Sequence, residues 1–146
     1  MKTQSAKAKG RRLQQLVVSK LLEKFPELSE DDIRSTSMGA QGEDVQLSAR
    51  ARENIPFSFE CKNQERLNVW EAIEQSKSNC KGHTPLVVMK KNKSEPHVIL
   101  SLDDFLNVIS KDKHVTGTDN SEIIKILQNT IDSLRHNSTE MQVENV

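Results

Sequence analysis

Tyrosine is absent from this chain, and the other aromatics are scarce, with four Phe and one Trp. So few rings exclude a base-stacking platform for single-stranded nucleic acid. Cysteine is limited to Cys61 and Cys80, without a CxxC pair or a Cys/His cluster. That pattern excludes a structural zinc site, and two thiols without a secretory leader suit a reducing cytosol. The four histidines, His83, His97, His114 and His136, are scattered and read as surface or loop residues. No apolar run approaches the ~18 residues that a membrane span needs. The N-terminus is basic but lacks an apolar segment behind it, which argues against a signal peptide. Net charge of either sign is also missing, because 21 Lys and Arg balance 21 Asp and Glu.

That balance hides an uneven distribution. Residues 1–25 carry Lys2, Lys7, Lys9, Arg11, Arg12, Lys20 and Lys24 against Glu23 alone. Beyond Lys111 the acids outnumber the bases. A basic front and an acidic tail point to a polyanionic partner for the front, or else to a solvated surface. With 146 residues, 34% of them hydrophobic and 29% charged, the chain suits one modest core with flexible ends.

Residues 1–9 are polar and basic and read as a flexible arm. From Gly10, the spacing of Leu13, Leu16, Val17, Leu21 and Leu22 predicts an amphipathic helix. Pro26 ends it, since the residue before a proline avoids helical geometry. Ser29 and Asp32 have capping-box spacing and predict a short turn. Residues 33–37 are a candidate strand, followed by a loop holding Gly39 and Gly42.

The strongest chemical signal spans residues 42–62. Two strands, 44–50 and 56–62, are predicted here with a turn between them. Period-two alternation puts Val45, Leu47 and Ala49 on one face of the first, and Phe57, Phe59 and Cys61 on one face of the second. The opposite faces collect Asp44, Glu60 and Lys62. Two carboxylates can hold a hard divalent cation through oxygen, and a lysine beside them can steady negative charge on a phosphate. Glu-x-Lys alone is weak, because such pairs also form exposed cross-strand ion pairs.

A helix follows, capped by Asn68 with Glu71 in the reciprocal position and carrying Gln75. Its predicted buried side is Val69, Ala72, Ile73 and Ser76, with Trp70 at the margin. Leu86 to Met89 reads as a strand buried on both faces, Lys90, Lys91 and Lys93 as a basic loop, and 98–100 as another strand. Leu102, Phe105, Leu106 and Ile109 mark a helix. Ile123, Ile124, Ile126, Leu127, Ile131 and Leu134 mark one more in the tail, before a disordered end. Strands interrupted by helices indicate a mixed sheet in an α/β or α+β layer fold.

Asp44, then Glu60-Cys61-Lys62, then a helix with Gln75, resembles the PD-(D/E)XK nuclease superfamily, and within it Holliday-junction-resolvase-like nucleases of archaeal and phage type. Lys9-Gly10 at the head of a basic helix, Gly42-Glu43-Asp44 at a strand start, and the Pro85–Val88 and Leu102–Leu106 segments extend the resemblance over residues 9–110. It implies a restriction-endonuclease-like core of αβββαβ order, a central mixed sheet flanked by helices, with a helical tail over 111–146. It implies Mg²⁺-dependent hydrolysis of DNA phosphodiesters, with Mn²⁺ as a substitute and no small-molecule cofactor. Asp44, Glu60 and the Cys61 carbonyl would hold metal, Lys62 would assist the attacking water, and Gln75 would support it. Lys7, Lys9, Arg11, Arg12, Gln14, Arg50, Arg52, Lys90, Lys91 and Lys93 are the candidate DNA contacts. Branched DNA, a homodimer and a cytoplasmic setting, the host's if phage-encoded, are implied as well. The glutamate that archaeal resolvases carry on the first helix is replaced here by Gln14-Gln15. The alternatives are a restriction-like or nicking nuclease on duplex or flap DNA, and a DNA-binding protein that keeps the fold without activity.

Overall fold

The computed structural model of the chain describes residues 2–37, 39–115 and 120–140, with side chains over 5–37, 39–110 and 123–135. Two compact units emerge, Met1–Ser101 and Leu102–Val146.

Helix α1 runs Lys2–Lys24, starting well before Gly10. Residues 2–9 contain Ala and Lys and no breaker, so helix propensity carries the helix back through a stretch without apolar periodicity. Leu13 and Val17 are buried, and Leu16, Val18, Leu21 and Leu22 flank them. Past Lys24 the chain turns with Ser29 and Asp32 bonded as their spacing predicts, the Ser29 N–H donating to Asp32 Oδ2 at 3.0 Å.

Strands β1 (Ile33–Ser35) and β2 (Val45–Leu47) pair antiparallel, with Ile33 opposite Leu47. The ladder continues at both ends, through Thr36 N–H to the Asp44 carbonyl (2.9 Å) and Ser48 N–H to the Asp32 carbonyl (2.8 Å). β2 stops at Leu47 and not at 50. Ser48 accepts the Ala51 N–H at 3.1 Å and caps a short helix, α2 (Ala49–Asn54), that the sequence reading places in a strand and turn. An extended cap residue followed by Ala-Arg-Ala-Arg-Glu favours this switch. Ala49 is thus helical and exposed.

Strand β3 (Phe57–Asn63) does not form a hairpin with β2. It pairs parallel with β4 (Thr84–Lys90), placing Glu60 opposite Val87 and Lys62 opposite Met89. β4 pairs antiparallel with β5 (His97–Ile99), giving a mixed three-stranded sheet. A single backbone bond, Asp44 N–H to the Phe59 carbonyl at 2.9 Å, ties β2 to β3.

Alternation sorts β3 as expected, but neither face is left to solvent. Phe59 and Cys61 join Leu86, Val88, Leu13 and Val17 in the core beneath α1. Ser58 and Glu60, on the opposite face, are only 1% and 3% exposed. Helix α3 (Val69–Asn79) packs on β3 and β4 and buries Ala72 and Ser76. The Asn68 side chain caps it, accepting the Glu71 N–H at 3.3 Å, while Trp70 stands out in solvent at 78% exposure. The chain leaves α3 through Lys81 and Gly82, both at positive φ.

The second unit contains α4 (Leu102–Val115) and α5 (Asn120–Glu140). Asp103 and Asp104 sit in the first turn of α4, where carboxylates offset the helix dipole. The described residues thus form a mixed α/β chain of five helices. α5 continues to Glu140, into the stretch read as a disordered end, and residues 141–146 lie outside the described residues.

Candidate active site

Asp44 sits where the loop from β1 enters β2, and three backbone bonds fix it there. Its N–H and carbonyl are held by Phe59 and Thr36. Its Oδ2 accepts the Cys61 N–H at 2.6 Å. The preceding turn is pinned as well. Gly42 has a φ of +112°, a region glycine enters without strain. Thr36 Oγ1 donates to the Glu43 carbonyl at 2.6 Å, and Arg52 clasps the Glu43 carboxylate at 2.5 and 2.6 Å.

Burial pushes the Asp44 carboxyl up to about 6, against the lowering effect of the Cys61 N–H. The nearby Glu60 charge raises it further, while Lys62 and a hydrogen bond from the Gln14 side chain lower it. Gln14, and not the exposed Gln15, therefore occupies the place facing Asp44.

Glu60, on the α3 face of β3, uses both carboxylate oxygens. Oε1 lies 2.9 Å from Lys62 Nζ, and Oε2 accepts from Asn79 Nδ2 at 3.1 Å. Lys62 donates onward to Gln75 Oε1 at 2.7 Å. Asn79, Glu60, Lys62 and Gln75 thus form one bonded row between β3 and α3. Period two brings Glu60 and Lys62 to this face, and one helical turn separates Gln75 from Asn79. Asn79 is absent from the sequence reading, although its place four residues after Gln75 is a signal that helical spacing supplies.

Cys61 takes its expected place as a buried hydrophobe, and burial with the Asp44 and Glu60 charges pushes its thiol well above the usual range. It is unsuited to nucleophilic work. Its N–H faces Asp44, and a strand residue's N–H and C=O point to the same edge, so its carbonyl faces that way too.

The candidate DNA contacts separate into groups. Lys7, Arg11 and Gln14, with Gly10, line one wall of a cleft of about 400 Å³ that reaches Asp44. Lys9 and Arg12 fall on other faces of α1, and the Lys9 carbonyl accepts from Asn63 Nδ2 at 3.3 Å. Arg50 is exposed on α2. Arg52 is committed inside the protein: besides Glu43 it donates to the Phe57 carbonyl at 2.6 Å, and the Arg52–Glu43 pair is mostly buried. It is a structural residue and not an available phosphate contact. Lys90 Nζ is bonded to the Lys91 and Ser94 carbonyls. Lys91 borders a second cleft of about 260 Å³ with Gln64, Leu67 and Met89, and Lys93 is exposed in the adjoining turn.

Among the described residues, no group of three or more His, Cys, Asp and Glu side chains is placed to hold a metal ion. The Asp44 and Glu60 carboxylates lie close enough for their charges to interact, and strand geometry turns the Cys61 carbonyl to the edge that faces Asp44. Mg²⁺ commonly takes one or two carboxylates and keeps several waters, so this set fits it. No protein-family model, curated protein or solved structure matches the chain.

Proposed function

We propose that this protein is a Mg²⁺-dependent endodeoxyribonuclease of PD-(D/E)XK type, acting on branched DNA in the manner of a Holliday-junction resolvase. One observation carries the reading. Asp44, at the entry to β2, bonds the backbone of β3 within the Glu60-Cys61-Lys62 motif itself, and borders a cleft lined by Lys7 and Arg11. Phosphodiester hydrolysis needs carboxylates, a lysine and a cation-lined approach. Asp44 borders the cleft of Lys7 and Arg11, while Lys62 borders a smaller cavity against α3 with Gln75.

Asp44, the Cys61 carbonyl and Glu60 would hold Mg²⁺, which supplies charge neutralisation at the phosphate and acidifies water. Gln14 holds the Asp44 carboxyl, and Asn79 holds that of Glu60. Lys62, bonded to Glu60 and Gln75, would offer its ammonium to the charge that grows on the phosphate. Lys7 and Arg11 bind backbone phosphates without reading sequence. A homodimer would set two such sites for symmetric cutting, and the exposed isoleucines and leucines of α5 offer apolar surface for it. A monomeric mass at micromolar concentration would remove the dimer from this account.

Incubation with labelled four-way junction, flap and linear duplex, each with Mg²⁺, tests the reading and its substrate together. Preferential cutting of the junction supports it. Equal or better cutting of duplex or flap favours a restriction-like enzyme. A second reading, a DNA-binding protein without activity, draws on the engagement of both Glu60 oxygens and on Gln14 standing where an acid is expected. Calorimetric titration with Mg²⁺ or Mn²⁺ separates it, since that protein would show no site dependent on Asp44 and Glu60.

A further inference from the structure

Gly10 has no structural reason to be a glycine. It lies well inside α1, where glycine is the least favourable residue after proline. A glycine in a helix is commonly explained by a left-handed backbone or by crowding at the missing Cβ. Neither applies. Gly10 is not among the positive-φ residues, and a Cβ built on it meets nothing within 4 Å. Yet the residue is half-buried, because it lines the wall of the cleft that ends at Asp44.

Its neighbours give the open space a chemistry. Lys7, Gly10, Arg11 and Gln14 follow i, i+3, i+4, i+7 spacing and share one helix face. All four line the cleft. No ion pair or hydrogen bond engages the Lys7 or Arg11 side chain among the described residues. The glycine therefore leaves a notch in the helix surface between two uncommitted cations. We infer that this notch seats a phosphodiester group of the DNA strand, a neighbour of the phosphate at Asp44, with Lys7 and Arg11 gripping its oxygens. A side chain at position 10 would hold that phosphate away from the helix and out of reach of both cations at once. The inference rests on the nuclease reading and adds the subsite that positions the strand.

The test exploits opposite signs. Gly10→Ala and Gly10→Gln are compared with the wild-type full chain in two measurements. One is thermal unfolding. The other is anisotropy of a labelled four-way junction, with Ca²⁺ replacing Mg²⁺. Both variants should melt higher, by roughly 2–6 °C, because each improves helix propensity in open space. Both should bind the junction more weakly, about threefold for Ala and about tenfold or more for Gln, the latter corresponding to one lost contact. Unchanged binding with raised melting overturns the inference and leaves the nuclease reading standing. Lowered melting also overturns it, by giving the glycine a structural role. If the wild-type protein binds no DNA, the nuclease reading falls, and the subsite with it.

Discussion

Replacing Asp44 by Asn should make the metal-free protein more stable at neutral pH, although it removes the centre of the proposed site. The Asp44 carboxyl titrates at about 6 in the folded chain against 3.8 for the free side chain, chiefly because it is buried. A raised carboxyl pKa means that folding favours the protonated form. The stabilisation is fully present below 3.8 and is lost as pH rises through about 6. About two pH units at 1.36 kcal/mol each set a ceiling near 3 kcal/mol, and residual solvent access reduces this to ~1–2 kcal/mol. Asparagine carries no charge, and its Oδ1 can still accept the Cys61 N–H. Urea unfolding of wild type and Asp44→Asn at pH 7.5 and pH 4 provides the assay. At pH 7.5 the variant's midpoint should rise by roughly 0.5–1 M, and at pH 4 the difference should nearly vanish. Millimolar Mg²⁺ should raise the wild-type midpoint and leave the variant's unchanged. A variant less stable than wild type at pH 7.5, or a gain that persists undiminished at pH 4, would refute the reasoning.

Other substitutions separate structure from chemistry. Arg52→Ala should destabilise the fold by about 2–3 kcal/mol, since it strands the mostly buried Glu43 carboxylate and the Phe57 carbonyl. The salt dependence of DNA binding should stay as in wild type, and a shallower slope would return Arg52 to the phosphate contacts. Asn79→Ala frees one Glu60 oxygen and should lower the cleavage rate about tenfold at saturating DNA, with little change in junction affinity. Loss of affinity alone would deny Asn79 its positioning role. Lys7→Ala combined with Arg11→Ala should weaken binding similarly for every sequence, and reduce the salt slope by ~2. Retention of the full slope would move the strand elsewhere.

How much of this was legible in the sequence follows from which interactions are local. The Asn68 cap, the Ser29–Asp32 turn and the buried strand around Val87 depend on neighbouring residues, and pattern alone locates them. Periodicity puts Glu60 and Lys62 on one strand face, but that Gln75 bonds Lys62 is decided by how α3 packs on β3. Pattern does not locate the α2 helix either. Val45–Leu47 is too short a strand to outweigh the helix propensity behind Ser48, and that contest leaves little mark on the pattern. The fate of β3's polar face was equally hidden. Whether Glu60 meets water or helix α3 depends on chain packing far from its own segment. Arg52 shows the same limit, because an arginine in a turn looks available until the fold brings Glu43 beside it. Gln14 reads as one of two equivalent glutamines until the orientation of α1 turns it toward Asp44.

The most direct test is single-turnover cleavage of a labelled mobile four-way junction with Mg²⁺, run side by side for wild type and Lys62→Ala. The account predicts symmetric cuts by wild type. For Lys62→Ala it predicts a rate lower by on the order of 10²–10³ or more, with junction binding retained. Cleavage by Lys62→Ala at the wild-type rate, or no cleavage by a wild-type protein that binds the junction, would contradict it.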